Sequence, residues 1–272
     1  MDDIDRFLKE DLGDIGDITT NSLFSDEKAV ANIISKEECI VAGLDEAKQI
    51  FKRLGANFEL KYNDGVKIKK NEIVATVKGS VKAILTGERL ALNFICRMSA
   101  IASETFFLKE KCKKINPNVK IAATRKTVPG FRKYEKKAVC LGGGDPHRFG
   151  LYDAVLIKDN HIKRSKKSIS KIIKTIKENV KDKIIEIEVE NEKDSLEAAK
   201  QDINYIMLDN FAPHLGEKIA EKIRKINPKI KIEVSGSITP KNITKYASYA
   251  DRISLGYLTH SIKNKDFSLE II

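Results

Sequence analysis

Six short apolar segments in the second half of the chain each run into residues able to do chemistry. Thr124-Arg125-Lys126 follow VKIAA (119–123), and Lys158-Asp159-Asn160-His161 follow DAVLI (153–157). IIEIEV (184–189) brings Glu188 and Glu190, and YIML (205–208) is followed by Asp209-Asn210. Ser235-Gly236-Ser237 follow IKIEV (230–234), and Gly256 follows RISL (252–255). The residue types divide by charge. Arg125, Lys126, Arg148 and Lys158 supply cations; an Arg fork grips a carboxylate bidentately, and Lys offers a compact charge for phosphate. Glu188 and Asp209 are acceptors suited to sugar hydroxyls or to a hydrated Mg²⁺. Ser235-Gly236-Ser237 and Gly256 put small residues where backbone N–H groups of a barrel enzyme bind phosphate. Anion capture beside hydroxyl recognition points to a phosphorylated sugar as substrate. Any single strand ends in polar residues because loops face water. Six such ends in one domain are harder to assign to solvation alone.

The segment GGGDPHR (142–148) offers three glycines for an anion nest or for a plain flexible turn. It lacks the G-x-x-x-x-G-K-[ST] pattern, so a nucleotide P-loop is not indicated. His147 beside Arg148 makes a candidate ligand-contacting pair, whereas His161 reads as a supporting or packing residue. Lys158 at a strand end also suits a Schiff-base lyase, although such a lysine wants desolvation and several cations crowd it here.

The elements that must position these groups follow from periodicity. The six segments alternate with helical patterns such as KKSISKIIKTIKENVKDK (166–183), EKDSLEAAKQ (192–201) and HLGEKIAEKIRKI (214–226). Apolar strands alternating with amphipathic helices predict a parallel sheet with covered faces, and the fold class is α/β: an open or incomplete TIM-like α/β barrel. An N-terminal β-rich α+β domain precedes it. There AVANIISKEECIVAG (29–43) has strand composition, and LDEAKQIFKRLG (44–55) reads as a helix closed by Gly55. FELKY (58–62), the turn Asn63-Asp64-Gly65 and VKIKKNEIVATVKGSVKAIL (66–85) read as paired strands. A long helix from about Thr86 places Leu90, Phe94, Met98 and Ile101 on one face. The expected domains are 1–100, 101–261, and a tail, 262–272, packing back on the N-terminal domain.

Composition narrows the classes. The 272 residues carry 50 Lys plus Arg against 39 Asp plus Glu, a formal charge of +11 that raises nucleic acid as a partner. The lysines instead alternate with isoleucine along helices, there is no Trp, and no zinc-finger spacing or aromatic stacking run is present. No nucleic-acid partner is expected. No apolar run approaches the roughly 18 residues of a membrane span, and MDDIDRFLKEDLG is acidic and amphipathic, unlike a secretory leader. Cys39, Cys96, Cys112 and Cys140 show no paired spacing, so a reduced, cytoplasmic chain is expected.

At the level of motifs the chain resembles the quinolinate phosphoribosyltransferases, the decarboxylating enzymes of de novo NAD synthesis. The resemblance rests on ATRKTVPGFRKYEKKAV (123–139), GGGDPHRFGLYDAVLIKDNHI (142–162), EIEVE (186–190), LDNF (208–211) and GYLTHS (256–261), and extends to EDLGDIGDITT (10–20) and GERLALNFICRMSAIAS (87–103). It implies a homodimer with sites between subunits, Arg89 reaching into the partner's site. It further implies that Arg125, His147, Arg148 and Lys158 surround quinolinate, with Thr124 in the same loop and with Lys126 and Lys158 near the pyrophosphate. Glu188 and Asp209 would face the ribose hydroxyls of phosphoribosyl pyrophosphate and its Mg²⁺, the expected cofactor, held mainly through the substrate. Ser235, Gly236, Ser237 and Gly256 would hold the 5′-phosphate, with Leu255 and Tyr257 also among the substrate-binding residues. Lys126, Lys158, Glu188 and Asp209 are the implied catalytic groups. Two positions depart from the family pattern: Pro146 where Asn is usual, and Ser237 where a second Gly is usual. Pro146 leaves open a divergent relative of the type encoded with molybdate-transport genes, or one acting on another pyridine carboxylate.

Overall fold

The acidic start folds as α1 (Asp3–Leu12), capped by the Asp2 carboxylate accepting from the Asp5 N–H, and burying Ile4 and Leu8. The computed structural model describes residues 2–272. α2 (Ile18–Leu23) is capped in the same way by Asp17. Then come β1 (Lys28–Ser35), β2 (Cys39–Ile40), α3 (Leu44–Arg53), β3 (Asn57–Leu60), β4 (Lys67–Ile68), β5 (Ile73–Ser80) and the long α4 (Val81–Lys113). On α4, Leu90, Phe94, Met98 and Ile101 are all buried. Gly55 follows α3 at φ 79°, the left-handed conformation that closes a helix.

One strand expectation needs correction, and one pairing is met at a greater distance. The run 66–85 does not stay extended: the Ser80 hydroxyl accepts from the Ala83 N–H, an N-cap that turns Val81–Leu85 into the first turns of α4. The segments 58–62 and 66–85 do pair as expected, though not directly across the turn Asn63-Asp64-Gly65. β3 pairs with β5, and β4 pairs with β2. The turn is used instead to send the Asp64 carboxylate to the Leu44 N–H at 2.9 Å, capping α3, whose own N-cap residue is Gly43.

The chain continues through β6 (Lys120–Ala122), α5 (Arg132–Leu141), β7 (Val155–Ile157), α6 (Asp159–Ser165), α7 (Ile169–Asn179), β8 (Ile185–Val189), α8 (Glu192–Ala199), β9 (Tyr205–Asp209), α9 (Pro213–Ile226), β10 (Lys231–Ser235), β11 (Arg252–Ser254), α10 (Tyr257–His260) and β12 (Phe267–Ile271). These elements form two compact units. The first holds residues up to Phe106 together with Lys133–Gly143 and Ile262–Ile272; the second holds Phe107–Arg132 and Gly144–Ser261. By its contacts α5 belongs to the first unit, although it follows residue 100 in the chain. There Glu135 of α5 is buried against Arg97, and Lys137 meets Glu46 at 2.9 Å. The first unit's sheet runs β12-β1-β5-β3, with β12 antiparallel to β1.

The second unit's sheet is parallel, in the order β6-β11-β10-β9-β8-β7. This is the cyclic order of a barrel opened between β6 and β7. At the opening, Asp145 makes a lone parallel bridge to Ala122, donating its N–H to Ile121 and accepting from the Ala123 N–H. The backbone at Asp145 thus covers part of the bare edge of β6, the kind of protection an unpaired edge needs. Period-two alternation sends one set of side chains inward: Glu186 and Glu188 from β8, Met207 and Asp209 from β9, Glu233 and Ser235 from β10, Arg252 and Ser254 from β11. Ile187, Ile206, Ile232 and Ile253, of opposite parity, are fully buried on the other face.

Candidate active site

At the carboxyl ends of the six strands opens a cavity of about 640 Å³. It is lined by the residues of the second unit singled out from sequence: Thr124, Arg125 and Lys126; His147, Arg148 and Lys158; Glu188 and Asp209; Ser235, Gly236 and Ser237; Leu255, Gly256 and Tyr257. Arg89 lies elsewhere, exposed on α4 in the first unit, beside the loop 10–18 and Thr86. Glu190 is exposed and does not line the cavity.

One wall is cationic and electrostatically strained. Burial and the positive charge of Arg125 hold the Arg148 guanidinium below its ordinary pKa. Arg125 has its Nε buried without a hydrogen-bond partner. A buried donor without an acceptor beside a like charge is costly in isolation and is relieved by a bound anion. The turn behind it is fixed: the Lys126 N–H donates to Thr124 Oγ1 at 3.0 Å, and the buried Thr259 hydroxyl donates to the Lys126 carbonyl at 2.7 Å. Lys158 extends from the end of β7, its Nζ 2.6 Å from Glu188 Oε2. Its backbone N–H donates to His161 Nδ1 at 2.9 Å. His161 thus sets Lys158 in place at the start of α6.

The facing side carries acceptors and a glycine loop. Burial raises the Asp209 pKa, and the Glu188 charge raises it further. Asn210, at φ 57°, donates from Nδ2 to Asp209 Oδ2 at 2.7 Å, and its Oδ1 accepts from the Ser237 hydroxyl at 3.3 Å. It thereby ties the Asp209 carboxylate to the loop after β10. Gly236 has φ 84°, and a Cβ there would collide with the Asn210 side chain and come within 2.8 Å of its backbone N. Ser237 also sits at positive φ, 49°, which explains why Gly suits this position; its hydrogen bond to Asn210 compensates part of the strain.

Sequence reasoning missed the layer below the cavity. Arg252, 7% exposed, donates from Nε to Glu233 and from NH2 to Glu186 Oε2 at 3.1 Å, and its guanidinium lies 4.0 Å from the Tyr205 ring centroid. Glu233 is fully buried and Glu186 nearly so. His147 Nε2 lies 3.3 Å from Glu233 Oε2 and 3.4 Å from Glu186 Oε2. The alternation in IEIEV, which puts Glu186 on the same face as Glu188, was the available signal. His147 itself has φ 55° and follows Pro146 in a turn where the Asp145 carboxylate accepts the His147 N–H at 2.7 Å. Proline suits the second position of such a turn, so its presence in place of Asn has a local reason.

The chain matches the family models described as quinolinate phosphoribosyl transferase, N-terminal domain, over residues 17–99 and C-terminal domain over 101–270. A curated relative from Methanocaldococcus jannaschii, named "Probable nicotinate-nucleotide pyrophosphorylase (carboxylating)", is 44% identical across 98% of this chain and 95% of its own length. The quinolinate phosphoribosyltransferase (decarboxylating) 2b of Nicotiana tabacum is 35% identical across 97% of this chain and 80% of its own. The crystal structure of nicotinate-nucleotide pyrophosphorylase from Ehrlichia chaffeensis superposes with a TM-score of 0.92 at 37% identity, covering 99% of this chain and 97% of that one. With both family models matched in order along nearly its whole length, the chain belongs to the quinolinate phosphoribosyltransferase family.

Proposed function

We propose that this protein transfers the phosphoribosyl group of phosphoribosyl pyrophosphate to quinolinate, releasing pyrophosphate and CO₂ and giving nicotinate mononucleotide for NAD biosynthesis. The observation that carries the reading is the Arg125–Arg148 pair, a buried donor without an acceptor next to a second guanidinium, in one cavity with Glu188, Asp209 and the 235–237 loop. Quinolinate brings two carboxylates and phosphoribosyl pyrophosphate several more negative charges, which only a cationic wall holds at reacting distance. In the reaction the pyridine nitrogen bonds to the anomeric carbon as the bond to pyrophosphate breaks. Lys126 and Lys158 stabilise the charge on the departing group, and orientation of both reactants supplies much of the rest. Once the nitrogen is quaternary, the ring–carboxylate bond breaks, its electrons stay on the ring carbon beside the cationic nitrogen, and a proton from solvent completes the product. Glu188 and Asp209, whose mutual repulsion a cation relieves, fit an Mg²⁺ carried by phosphoribosyl pyrophosphate; the metal would neutralise leaving-group charge. Schiff-base chemistry does not suit Lys158, because a reactive amine needs an environment without the carboxylate found 2.6 Å away.

An assay with phosphoribosyl pyrophosphate, Mg²⁺ and quinolinate should yield nicotinate mononucleotide and CO₂, with nicotinate inactive as the parallel acceptor. Turnover of nicotinate alone would overturn the acceptor assignment. Gly236→Ala is expected to raise the KM for phosphoribosyl pyrophosphate by about tenfold or more, because its φ of 84° and the collision with Asn210 force the loop open. An unchanged KM would remove this loop from the phosphate site.

The same reading includes a homodimer whose Arg89 completes the partner's site, in a reduced, cytoplasmic setting. It is supported by the exposure of Arg89, of Ile15 in the loop beside it and of Ile18 at the start of α2, which leaves an apolar surface for a second copy. Among the described residues no helix is long and apolar enough to cross a membrane, and no disulfide joins the four cysteines. Mixing inactive Arg89→Ala and Lys158→Ala chains should restore about a quarter of wild-type activity, since half the dimers are mixed and each regains one of two sites. No recovery from chains shown to exchange would place Arg89 outside the active site.

A further inference from the structure

The cationic wall is carried by two separate stretches of chain. Arg125 stands in the loop after β6, and Arg148 in the segment that leads into β7. Their guanidiniums repel, as the lowered Arg148 pKa records, and the repulsion pushes the two stretches apart. Arg132, which does not line the cavity, spans them. Its Nε donates to the Thr127 hydroxyl at 3.0 Å, and its NH1 donates to the Phe149 carbonyl at 3.2 Å. The Thr127 hydroxyl donates in turn to the Arg125 carbonyl at 3.5 Å, and Phe149 directly follows Arg148. The Phe149 end is braced as well, its N–H donating to Asp153 Oδ2 at 2.7 Å. Local preference does not account for Arg132. It is the first residue of α5, where the helix dipole disfavours a cation, and among the described residues no carboxylate pairs with it. It groups with Thr127 and Phe149 in the second unit, although the rest of α5 belongs to the first.

We propose that Arg132 is a positioning residue that sets acceptor specificity: its fork fixes the spacing between the Arg125 and Arg148 stretches, so that the two guanidiniums meet carboxylates on neighbouring ring atoms and discriminate against a ring that carries only one. The inference rests on the proposed quinolinate site. A planar guanidinium with donors in fixed directions suits the task, because it bonds two acceptors at once at a set separation. Spacing held before the ligand arrives lowers the entropy lost when the ligand is gripped. The phosphoribosyl pyrophosphate side stands apart from this staple. Lys126 shares the loop with Arg125, but its N–H is held by Thr124 Oγ1 and its carbonyl by the Thr259 hydroxyl. Glu188, Asp209 and Ser235 belong to β8, β9 and β10, and Arg132 makes no hydrogen bond to any of them.

Arg132→Met is expected to raise the quinolinate KM by about tenfold, the size of one or two lost hydrogen bonds, with the KM for phosphoribosyl pyrophosphate unchanged. Arg132→Lys keeps the charge and loses the fork, and should behave like Arg132→Met; a wild-type KM there would mean that charge alone matters and would overturn the proposal. Thr127→Val should reproduce the rise and Thr127→Ser should not, and Thr127→Val combined with Arg132→Met should be no worse than the poorer single variant. Parallel rises in both substrates' KM values would mark a general disturbance and overturn it too. Specificity is read directly from the binding of two unreactive rings, benzene-1,2-dicarboxylate and benzoate. The wild type should prefer the dicarboxylate, and Arg132→Met should lose about tenfold of affinity for it while holding benzoate as before; an unchanged ratio would overturn the proposal. Should the wild type turn over no quinolinate and bind neither ring, the functional reading falls, and hydrogen exchange still decides what Arg132 does. Arg132→Met should speed exchange in 125–131 and in 147–153 together by about tenfold, and wild-type exchange in either stretch would mean that Arg132 does not hold the two.

Discussion

Arg125→Ala is expected to lower kcat/KM for quinolinate by about a thousandfold while the protein stays as stable as the wild type or becomes more so. The first half follows from charge-assisted bonding. A guanidinium gripping a carboxylate through two N–H groups contributes about 4 kcal/mol when both are shielded from water, close to three decades in rate. The second half follows from what Arg125 does without substrate. Its Nε is buried without an acceptor, and its charge depresses the neighbouring Arg148. Removing it deletes an unsatisfied donor and a like-charge repulsion, so activity and stability move in opposite directions, as they do where a site stores strain for its ligand. Arg125→Lys should fall between, because it keeps the charge and loses the fork. Steady-state kinetics and thermal melts of the three proteins check both halves. A quinolinate kcat/KM within threefold of wild type would place the acceptor elsewhere, and a marked fall in Tm would mean that Arg125 is structural.

The second unit was legible in the sequence because its strands are short, β-branched and bounded by polar residues. The six segments drawn from that pattern correspond to β6 through β11 within one residue at either end, except for β7, which begins two residues late. Positions at strand ends were legible for the same reason: once β10 is placed, Ser235-Gly236-Ser237 can only be at its mouth. Burial of Glu186, Glu233 and Arg252 was half legible. Alternation puts them inward, but whether three charged groups pack against one another depends on the register between strands far apart in sequence. Glu233 pairs across from Arg252 only because β10 and β11 align that way. The allegiance of α5 was not legible at all. Its amphipathic pattern says that one face is buried; it does not say against which unit, and the Arg97–Glu135 and Lys137–Glu46 pairs that decide this span 38 and 91 residues. Backbone conformation hid the rest. Nothing in the letters LDN marks Asn210 as left-handed, yet that conformation is what turns its amide toward Asp209 and its carbonyl toward Ser237.

Lys158→Met is expected to reduce kcat by about a thousandfold, the cost typical of removing one group that meets charge developing in the transition state. Its ion pair with Glu188 makes the variant informative beyond that loss. At 2.6 Å, with Glu188 nearly buried and Lys158 half-exposed, the pair holds the lysine over the cavity and neutralises the carboxylate nearest Asp209. If Glu188 turns to the ribose hydroxyls when phosphoribosyl pyrophosphate binds, Lys158 is released toward the pyrophosphate, and the two residues act as one switch. Without the lysine, Glu188 and Asp209 lose the larger of the two lysine charges acting on Asp209, leaving Lys126, and the Asp209 pKa, already raised by burial and by Glu188, rises further. The KM for phosphoribosyl pyrophosphate in Lys158→Met should therefore increase as pH falls into the carboxylate range, where Asp209 takes up a proton, more steeply than in the wild type. Glu188→Gln removes the same repulsion from the other side and should suppress that steepening in the double variant. The two substitutions should also be strongly non-additive in kcat, the double variant losing far less than the product of the single losses. Strict additivity would mean that Lys158 and Glu188 serve the two ends of the substrate independently, and that their contact in the free protein is an ion pair without a part in the reaction.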